Sequence, residues 1–409
     1  MPIALDRRTH HDDDIEQLTP GEFFTDRFPA FAAANGHLLA AAVDQLGTRP
    51  LSLEVDDITW TMVVDGGTVR AVRGPVDDAL VVTMTAAEFS DWCQNQRTLA
   101  SYGVARTLRS RGGNERDISI WDSLMLSLLY AWPTVGEVDF VDRHGAPLDL
   151  DRCFTPDDDP ADVAHFVREA GFLHLRGWAE PELMPQISAD MDRLLPDYVE
   201  GDGKSWWAEL RDGRRVCVRL QEFVEHSPAT VAMLTSDRWD LLRRTVAAGD
   251  QLVQSPVEGR CIEALIKPVG VVAGPSDLSF HRDCHLGRHA YSCSGTVIGV
   301  SLTASHPGNG QLRIIPGSHR IAIPVEVAKT EPFLAVHALA TEPGDLTMHL
   351  SCTLHEATAP ISEERRVMYT GFGLADRAGG RPPVNRQLAE LREQVTNILR
   401  DPAATAPDR

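Results

Sequence analysis

The chain has 409 residues, of which 43% are hydrophobic and 24% charged, so it can bury a large core and its composition implies no bulk disorder. Its net charge of -20, from 59 acidic and 39 basic side chains, makes nucleic acids and anionic membrane surfaces poor partners and favours a small molecule. Seven cysteines without a Cys-x-x-Cys pair argue against a disulfide framework or a zinc ribbon, and with no signal-peptide pattern or membrane-spanning run the sequence predicts a cytoplasmic protein.

The first 150 residues divide into a polar terminus and a small domain. Residues 1–21 include a His/Asp run at 10–14 and are interpreted as a flexible N-terminus, because neighbouring mobile side chains rarely preorganise a metal site. From 22 to 150, an alanine-rich helix precedes three alternating runs, with a hairpin turn at 65–67, and two further helices follow, the last ending at Pro133. We predict a small α+β domain, whose order of elements resembles the sterol-carrier-protein-2-like fold.

A linker rich in acidic residues and proline, CFTPDDDPAD, leads into a second unit predicted at 155–376. The unit opens with a helix, a strand and a long amphipathic helix. Residues 200–260 are interpreted as polar loops and helical segments, with Trp206 and Trp207 covering apolar surface or forming a lid. From Ile262 to Arg366, short apolar runs alternate with Gly/Pro turns, as in an antiparallel sandwich or barrel. Residues 377–409 are predicted to be a C-terminal helix and tail.

The tripeptide His281-Arg282-Asp283 carries the chemistry that we consider most specific. On a strand end, residues i and i+2 point to the same side, so His281 and Asp283 can reach one metal while Arg282 points away. A third ligand, His355, would complete a two-histidine, one-carboxylate set, which suits Fe(II) and leaves three positions open. A 2-oxo acid can fill two of them and O2 the third.

A remote carboxylate on such a co-substrate needs a fixed cation, and the arginine fork pairs with carboxylates through two hydrogen bonds. Arg366 begins a strand eleven residues after His355, and its neighbour Arg365 must point to the opposite face. The spacing favours Arg366 as the anchor.

Three segments occur in a characteristic order: SFHRD, NGQLRIIPGSHR and GDLTMHLSCTLHEA. In this order of motifs, over roughly 155–376, the chain resembles the phytanoyl-CoA dioxygenase family of Fe(II)/2-oxoglutarate oxygenases. The resemblance implies a double-stranded β-helix (jelly roll) flanked by helices, with His281, Asp283 and His355 as catalytic iron ligands and Arg366 holding 2-oxoglutarate. It also implies oxidation, in the first place hydroxylation, of a small apolar or specialised-metabolite substrate, with O2 consumed and succinate and CO2 released. Because related halogenases lack the acidic ligand, Asp283 favours oxygenation.

The sequence departs from this family at two positions. A tryptophan before the HxD motif is replaced by Phe280, and a serine two residues after the distal histidine by Ala357. Phe280 keeps an apolar wall, but Ala357 removes a possible hydrogen bond to the co-substrate. The expected co-substrate contacts besides Arg366 are Lys267, Thr353 or Tyr369, and the expected substrate contacts are Phe280, His285, Arg288 and Tyr291.

Two alternatives of other classes stay open. The segment HRDCHLGRH would place His281, His285 and His289 on one helical face beside Cys284, as a zinc site could require. The chain could also be a non-catalytic binding protein whose N-terminal unit carries an apolar ligand. That unit could equally mediate dimerisation or act as a lid, and the oligomeric state is left open. His349 is interpreted as structural, and Ser318 and His319 as turn caps.

Overall fold

The computed structural model of the chain describes residues 5–134, 138–246, 251–255, 262–286, 289, 293–330, 335–375 and 377. These residues form an N-terminal and a C-terminal unit, each built around a large buried apolar cluster. None of the helices in this part of the chain is long and apolar enough to cross a membrane. The predicted C-terminal helix lies outside the described residues.

The N-terminal unit packs helices against a single five-stranded sheet, which confirms the predicted α+β domain. The sheet order is β3-β2-β1-β4-β5, with β1 and β4 parallel and the other pairs antiparallel. The sterol-carrier-like interpretation stays a prediction. The elements are α1 Phe28–Leu46, β1 Leu51–Val55, β2 Ile58–Asp65, β3 Thr68–Arg73, β4 Leu80–Met84, α2 Ala86–Cys93, α3 Leu99–Val104, β5 Arg109–Arg111 and α4 Glu115–Tyr130.

Local sequence explains the boundaries of these elements. Gly66 and Gly67 adopt φ values of 57° and 78°, which glycine tolerates, and so close the predicted β2–β3 hairpin. Helix α2 begins at a capping box, in which the Thr85 side chain accepts from the backbone N–H of Glu88 and the Glu88 carboxylate accepts from that of Thr85. Helix α4 ends at Tyr130 and is capped by Ala131, shortly before Pro133, the residue at which its end was predicted.

The C-terminal unit is a jelly roll made of two facing sheets, as predicted. The larger sheet has ten strands and the smaller has the order β13-β18-β15-β16. The strands of the two sheets together are β6 Cys153–Phe154, β7 Phe172–Leu175, β8 Ser205–Leu210, β9 Arg215–Leu220, β10 Leu252–Gln254, β11 Glu263–Lys267, β12 Val271–Ala273, β13 Leu278–His281, β14 Thr296–Ser301, β15 Leu312–Ile314, β16 His337–Leu339, β17 Leu346–Leu350, β18 His355–Ala357 and β19 Arg365–Leu374.

Helices cover the outer face of the larger sheet. Along β19, the alternate residues Met368, Thr370 and Phe372 are buried. Met368 and Phe372 belong to the main apolar cluster of the unit, which also contains residues of the covering helices. Tyr369 and Gly371 point the other way, between the sheets, and are only half-buried. This leaves a cleft between the two sheets. The helices of this unit are α5 Pro160–Ala170, α6 Leu183–Leu194, α7 Pro228–Leu234, α8 Asp237–Val246 and α9 Val325–Thr330.

The interpretation of residues 200–260 as loops and helical segments was partly wrong. Residues 205–220 form the antiparallel hairpin β8–β9, closed by a turn in which Gly213 has φ 82°. Trp206 and Trp207 lie in β8 at a register shift, and the Arg219 guanidinium stacks 4.2 Å from the Trp206 ring centre. The tryptophans are therefore part of the larger sheet.

Candidate metal centre

Side chains from three segments of the jelly roll converge at the mouth of the cleft. His281 ends β13, Asp283 begins the 3₁₀ turn after it, and His355 begins β18, directly opposite His281 in the register of the two strands. One ligand-type atom from each lies within 4.8 Å of the other two. The Asp283 carboxylate is 3.3 Å from His281 Nε2 and 3.8 Å from His355 Nε2.

Backbone carbonyls fix the tautomers of both histidines. His281 Nδ1 lies 2.9 Å from the carbonyl oxygen of Ser279, and His355 Nδ1 lies 2.9 Å from that of Thr353. A carbonyl oxygen only accepts, so each Nδ1 carries a proton, and each Nε2 is the atom that faces the carboxylate and can bind a metal when it is unprotonated. Metal-binding histidines are oriented in this way. The three residues therefore fit a divalent metal, and the two-imidazole, one-carboxylate donor set suits Fe(II).

Burial and neighbouring charges shift the pKa values of the three residues. Burial opposes ionisation of Asp283, but the His355 and His281 imidazoles outweigh it and hold the pKa of Asp283 well below its usual range. Burial likewise opposes protonation of His281, yet its hydrogen bond to Asp283 raises the pKa of His281. Burial, with repulsion from His349 and His281, lowers the pKa of His355. The carboxylate is thus ionised at neutral pH.

Arg282, between the two ligands, points away from the centre as predicted. Its guanidinium is 2% exposed and donates only to backbone carbonyls among the described residues, those of Cys352, Ile323, Ser318 and Ile321. The Ser318 hydroxyl in turn accepts from the backbone N–H of Leu354, next to His355. Arg282 and the PGSH turn thus tie the strand of one histidine to the strand of the other.

We expect the Arg282→Leu variant to lose at least about 3 kcal/mol of unfolding free energy, because several buried carbonyls would lose their donor. Urea unfolding of metal-free protein measures this. Arg214→Leu is the matched control, since Arg214 is 70% exposed and its guanidinium pairs with Asp212 on the surface, so its loss should cost less than about 1 kcal/mol. Equal losses in the two variants would contradict the role of Arg282.

The choice of Arg366 as the inward-pointing arginine was wrong. Arg366 bonds on the outer face of the sheet, to Asp192 and the carbonyl of Ser188 on α6 and to Glu364. Although Arg366 also borders the small pocket between the sheets, its guanidinium is committed to these partners. Arg365 points inward, is 4% exposed, and donates to the Ser305 hydroxyl.

Arg365 and Lys267 form a buried pair of cations. They are opposite each other in the β11–β19 register. Lys267 Nζ donates to the carbonyl of Thr358, three residues after His355, and Arg365 NH2 lies 3.5 Å from the Tyr369 hydroxyl. Within the described part of the chain, no carboxylate is recorded in an ion pair with either residue. A polar pocket lined by Arg365, Tyr369, Ser301 and Thr347 lies beside them.

The other residues predicted to contact ligands are placed elsewhere or are not described. Thr353 is fully buried and its hydroxyl donates to the carbonyl of Gly171. Phe280 alternates with His281 and packs in an apolar cluster with Ile315 and Leu354, so its predicted substrate contact finds no support in the geometry. Arg288 and Tyr291 lie outside the described residues.

The alternative zinc set of His281, His285 and His289 is not brought together. His281 groups with Asp283 and His355, whereas His285 and His289 group with Cys284 behind the cleft. His285 is 9% exposed and its predicted substrate contact is likewise unsupported.

His349 is the neighbour of the centre that sequence reasoning did not assign to it. Its ring centre lies 3.9 Å from that of His355, and the residue is 2% exposed. It faces the cleft from β17, because it pairs with Val297 of β14, which in turn pairs with Gly371 of β19. The sequence could not show this, because strand alternation assigns His349 to a face only once the position of β17 in the sheet is known.

Residues 167–368 match the family model described as Phytanoyl-CoA dioxygenase (PhyH), which covers about half of the chain. No curated protein matches the sequence. Among solved structures, AviO1 from Streptomyces viridochromogenes Tue57 is similar at 20% identity and a TM-score of 0.43, over 55% of this chain and 98% of that one.

Two further solved structures are similar to the same extent. Iron-bound EctD from S. alaskensis is 18% identical with a TM-score of 0.44, over 64% of this chain and 90% of that one. The non-heme alpha ketoglutarate dependent epimerase SnoN from nogalamycin biosynthesis is 20% identical with a TM-score of 0.42, over 61% and 91%.

Proposed function

Residues 167–368 belong to the phytanoyl-CoA dioxygenase (PhyH) family, and on that premise we propose that the chain is an Fe(II)- and 2-oxoglutarate-dependent oxygenase acting on a small molecule. The observation that carries the proposal is the pairing of two sites in one cleft. His281, Asp283 and His355 converge as a metal-binding set, and Arg365 with Lys267 forms a cationic site at the strand that carries His355. A chelating dicarboxylate would bind iron at one end and the cationic site at the other.

Each residue has a defined task in this proposal. His281, Asp283 and His355 would hold iron on one face and leave the opposite face open. Arg365 would bind the remote carboxylate of 2-oxoglutarate, with Lys267 and the Tyr369 hydroxyl beside it. When bound, the iron supplies an oxidant made at the expense of O2 and 2-oxoglutarate, which leaves succinate and CO2. His355 and Arg365 are themselves buried, at 6% and 4% exposure.

Calorimetric titration of 2-oxoglutarate into the protein without oxygen tests this assignment. We expect one binding site that is much weaker when Fe(II) is omitted, because the keto and adjacent carboxylate oxygens then have no metal to bind. Absence of binding with Fe(II) present would refute the proposal.

The pH dependence of that binding follows from Lys267. Burial, and then repulsion from Arg365, lowers the pKa of Lys267 to about 7. The ammonium is charged below this pH and neutral above it, so the affinity for 2-oxoglutarate should fall by up to about tenfold between pH 6 and pH 8. In Lys267→Met protein this part of the pH dependence should disappear. A variant with the same pH profile as the wild type would exclude Lys267 from co-substrate binding.

We propose hydroxylation of a small apolar or specialised-metabolite substrate as the reaction. Asp283 supports this proposal, because a carboxylate at that position occupies the place a halide would need on the metal. The test is a panel of diverse small molecules incubated with Fe(II), 2-oxoglutarate and ¹⁸O₂. Incorporation of one labelled oxygen atom into a product is the expected result. Loss of two hydrogens without oxygen gain would contradict hydroxylation and indicate desaturation or ring formation.

A further inference from the structure

Behind the metal centre lies a second group of metal-ligating side chains, the thiol cluster, formed by Cys284, Cys293, Cys352 and His289. All four residues are at most 2% exposed. The ligand atoms of His289, Cys293 and Cys352 lie within 4.8 Å of one another, and Cys284 groups with His285 and His289 by the same measure. We propose that the thiol cluster is a structural zinc site, separate from the candidate iron site.

Three segments of the fold build the cluster. Cys284 lies in the 3₁₀ turn directly after Asp283, and Cys352 lies in the turn between β17 and β18. The backbone N–H of Cys293 donates to the carbonyl of His289, which holds these two residues close together. The convergence is therefore tertiary: His289, Cys293 and Cys352 form one group, and Cys284 Sγ lies 3.2 Å from Cys352 Sγ.

The donors form a Cys3His set, which is a common structural zinc site. Zinc–sulfur bonds of about 2.3 Å in a tetrahedral site place two sulfur atoms about 3.8 Å apart. Cys284 Sγ and Cys352 Sγ are 3.2 Å apart, nearer to that spacing than to a disulfide bond of about 2.05 Å. A disulfide would also leave Cys293 and His289 without a role.

A buried cation adjoins the sulfur atoms. Arg8 NH2 donates to Cys352 Sγ at 3.5 Å, and Arg8 NH1 donates to His289 Nε2 at 3.1 Å. Three thiolates on one zinc ion carry a net charge of -1, and the Arg8 guanidinium, which also pairs with Asp6, faces this charge. Because a hydrogen bond from Arg8 to a metal-bound sulfur disperses this charge, Arg8 suits an anionic zinc–thiolate group better than three neutral thiols.

One contact must change when zinc binds. Whichever ring nitrogen of His289 coordinates zinc, Nε2 can no longer accept from Arg8 NH1, because it is then either bound to the metal or protonated. The guanidinium has other anchors on its far side, since Asp6 accepts from it at 2.7 and 2.8 Å and the Trp132 ring centre lies 4.3 Å away. Because the guanidinium is a rigid plane, Arg8 keeps its bonds to Asp6 and Cys352 only if the imidazole shifts away from NH1.

Zinc at this point would hold together the chain segments that carry the iron ligands. Cys284 adjoins Asp283, and Cys352 lies three residues before His355. Four protein ligands leave no open position, so the site is structural. It would also fix the N-terminal segment that contains Arg8 against the jelly roll.

The test is metal analysis of protein purified without added metal. We expect about one zinc ion per chain in wild type and in Asp283→Ala, whose iron site is disabled, and less than about a tenth of that in Cys293→Ser. Cys93→Ser is the matched control, because Cys93 is equally buried but lies in the N-terminal unit, and it should keep its zinc. Zinc retained by Cys293→Ser, or no zinc in Asp283→Ala, would overturn the proposal.

Serine at position 293 could unfold the protein, so a second measurement uses intact cysteines. Co(II) is titrated into metal-free Asp283→Ala protein kept reduced. A strong near-ultraviolet band from thiolate-to-cobalt charge transfer is the expected result. Its absence, or a Cys284–Cys352 disulfide found by peptide mass spectrometry without reductant, would overturn the zinc site. Neither readout depends on oxygenase activity, so this inference and the proposed function can fail separately.

Discussion

Replacing Asp283 by alanine is expected to weaken Fe(II) binding by at least about 100-fold. Loss of a group that only orients a metal ligand already lowers metal affinity by about 10- to 100-fold, and Asp283 is proposed to be a ligand itself. Asp283 is the only anionic member of the set, and it lies within 4 Å of Nε2 of both His281 and His355. Without it, two neutral imidazoles remain, and the hydrogen bond that raises the pKa of His281 is lost. Anaerobic Fe(II) titration measures the change.

Asp277→Ala is the matched control for that experiment. Asp277 is an exposed aspartate four residues before His281, and it is not a member of the metal-binding set. Its removal should leave Fe(II) affinity within about twofold of wild type, because exposed charges act weakly through solvent. Comparable Fe(II) affinity in Asp283→Ala and Asp277→Ala would show that iron is not held by Asp283.

Replacing Arg365 by alanine should weaken 2-oxoglutarate binding to the Fe(II) protein by at least about 30-fold, the cost of removing one partner of a buried charge pair. Replacing Arg366 by alanine should change this affinity by less than about threefold, because its guanidinium serves Asp192 and Glu364 on the outer face. The two variants remove the same side chain from adjacent positions, so each controls for the other. Calorimetry without oxygen measures both affinities. A larger loss in Arg366→Ala would restore Arg366 as the anchor.

Local sequence was sufficient to predict the metal-binding set as a group. Strand alternation explains why His281 and Asp283 can share a ligand while Arg282 points away, and the order of motifs supplied His355. The structure brings these three side chains together. Their roles as iron ligands remain a proposal that the experiments above address.

Alternation alone shows that Arg365 and Arg366 point to opposite faces, but not which face is the interior. The answer depends on α6, which covers the outer face and supplies the partners of Arg366. One signal was available in the strand itself. Gly371 and Gly373 share the parity of Arg365, and small residues mark the side of a strand that another group approaches.

Two other features depended on distant contacts. The β8–β9 hairpin was missed because a register shift between Trp206 and Trp207 interrupts its alternation. The thiol cluster was missed because Cys352 is 59 residues beyond Cys293, and scattered cysteines without a short motif favour no metal site in sequence. Only the folded chain brings them together.

Succinate formation tests the central claim most directly. Wild-type protein is incubated with 2-oxoglutarate, O2 and a panel of small molecules, with and without Fe(II), beside the Asp283→Ala variant. The proposed function predicts succinate release that requires Fe(II) and is reduced at least about 100-fold in the variant. Equal succinate release by wild type and Asp283→Ala at saturating iron and 2-oxoglutarate, or none from either protein, would contradict it.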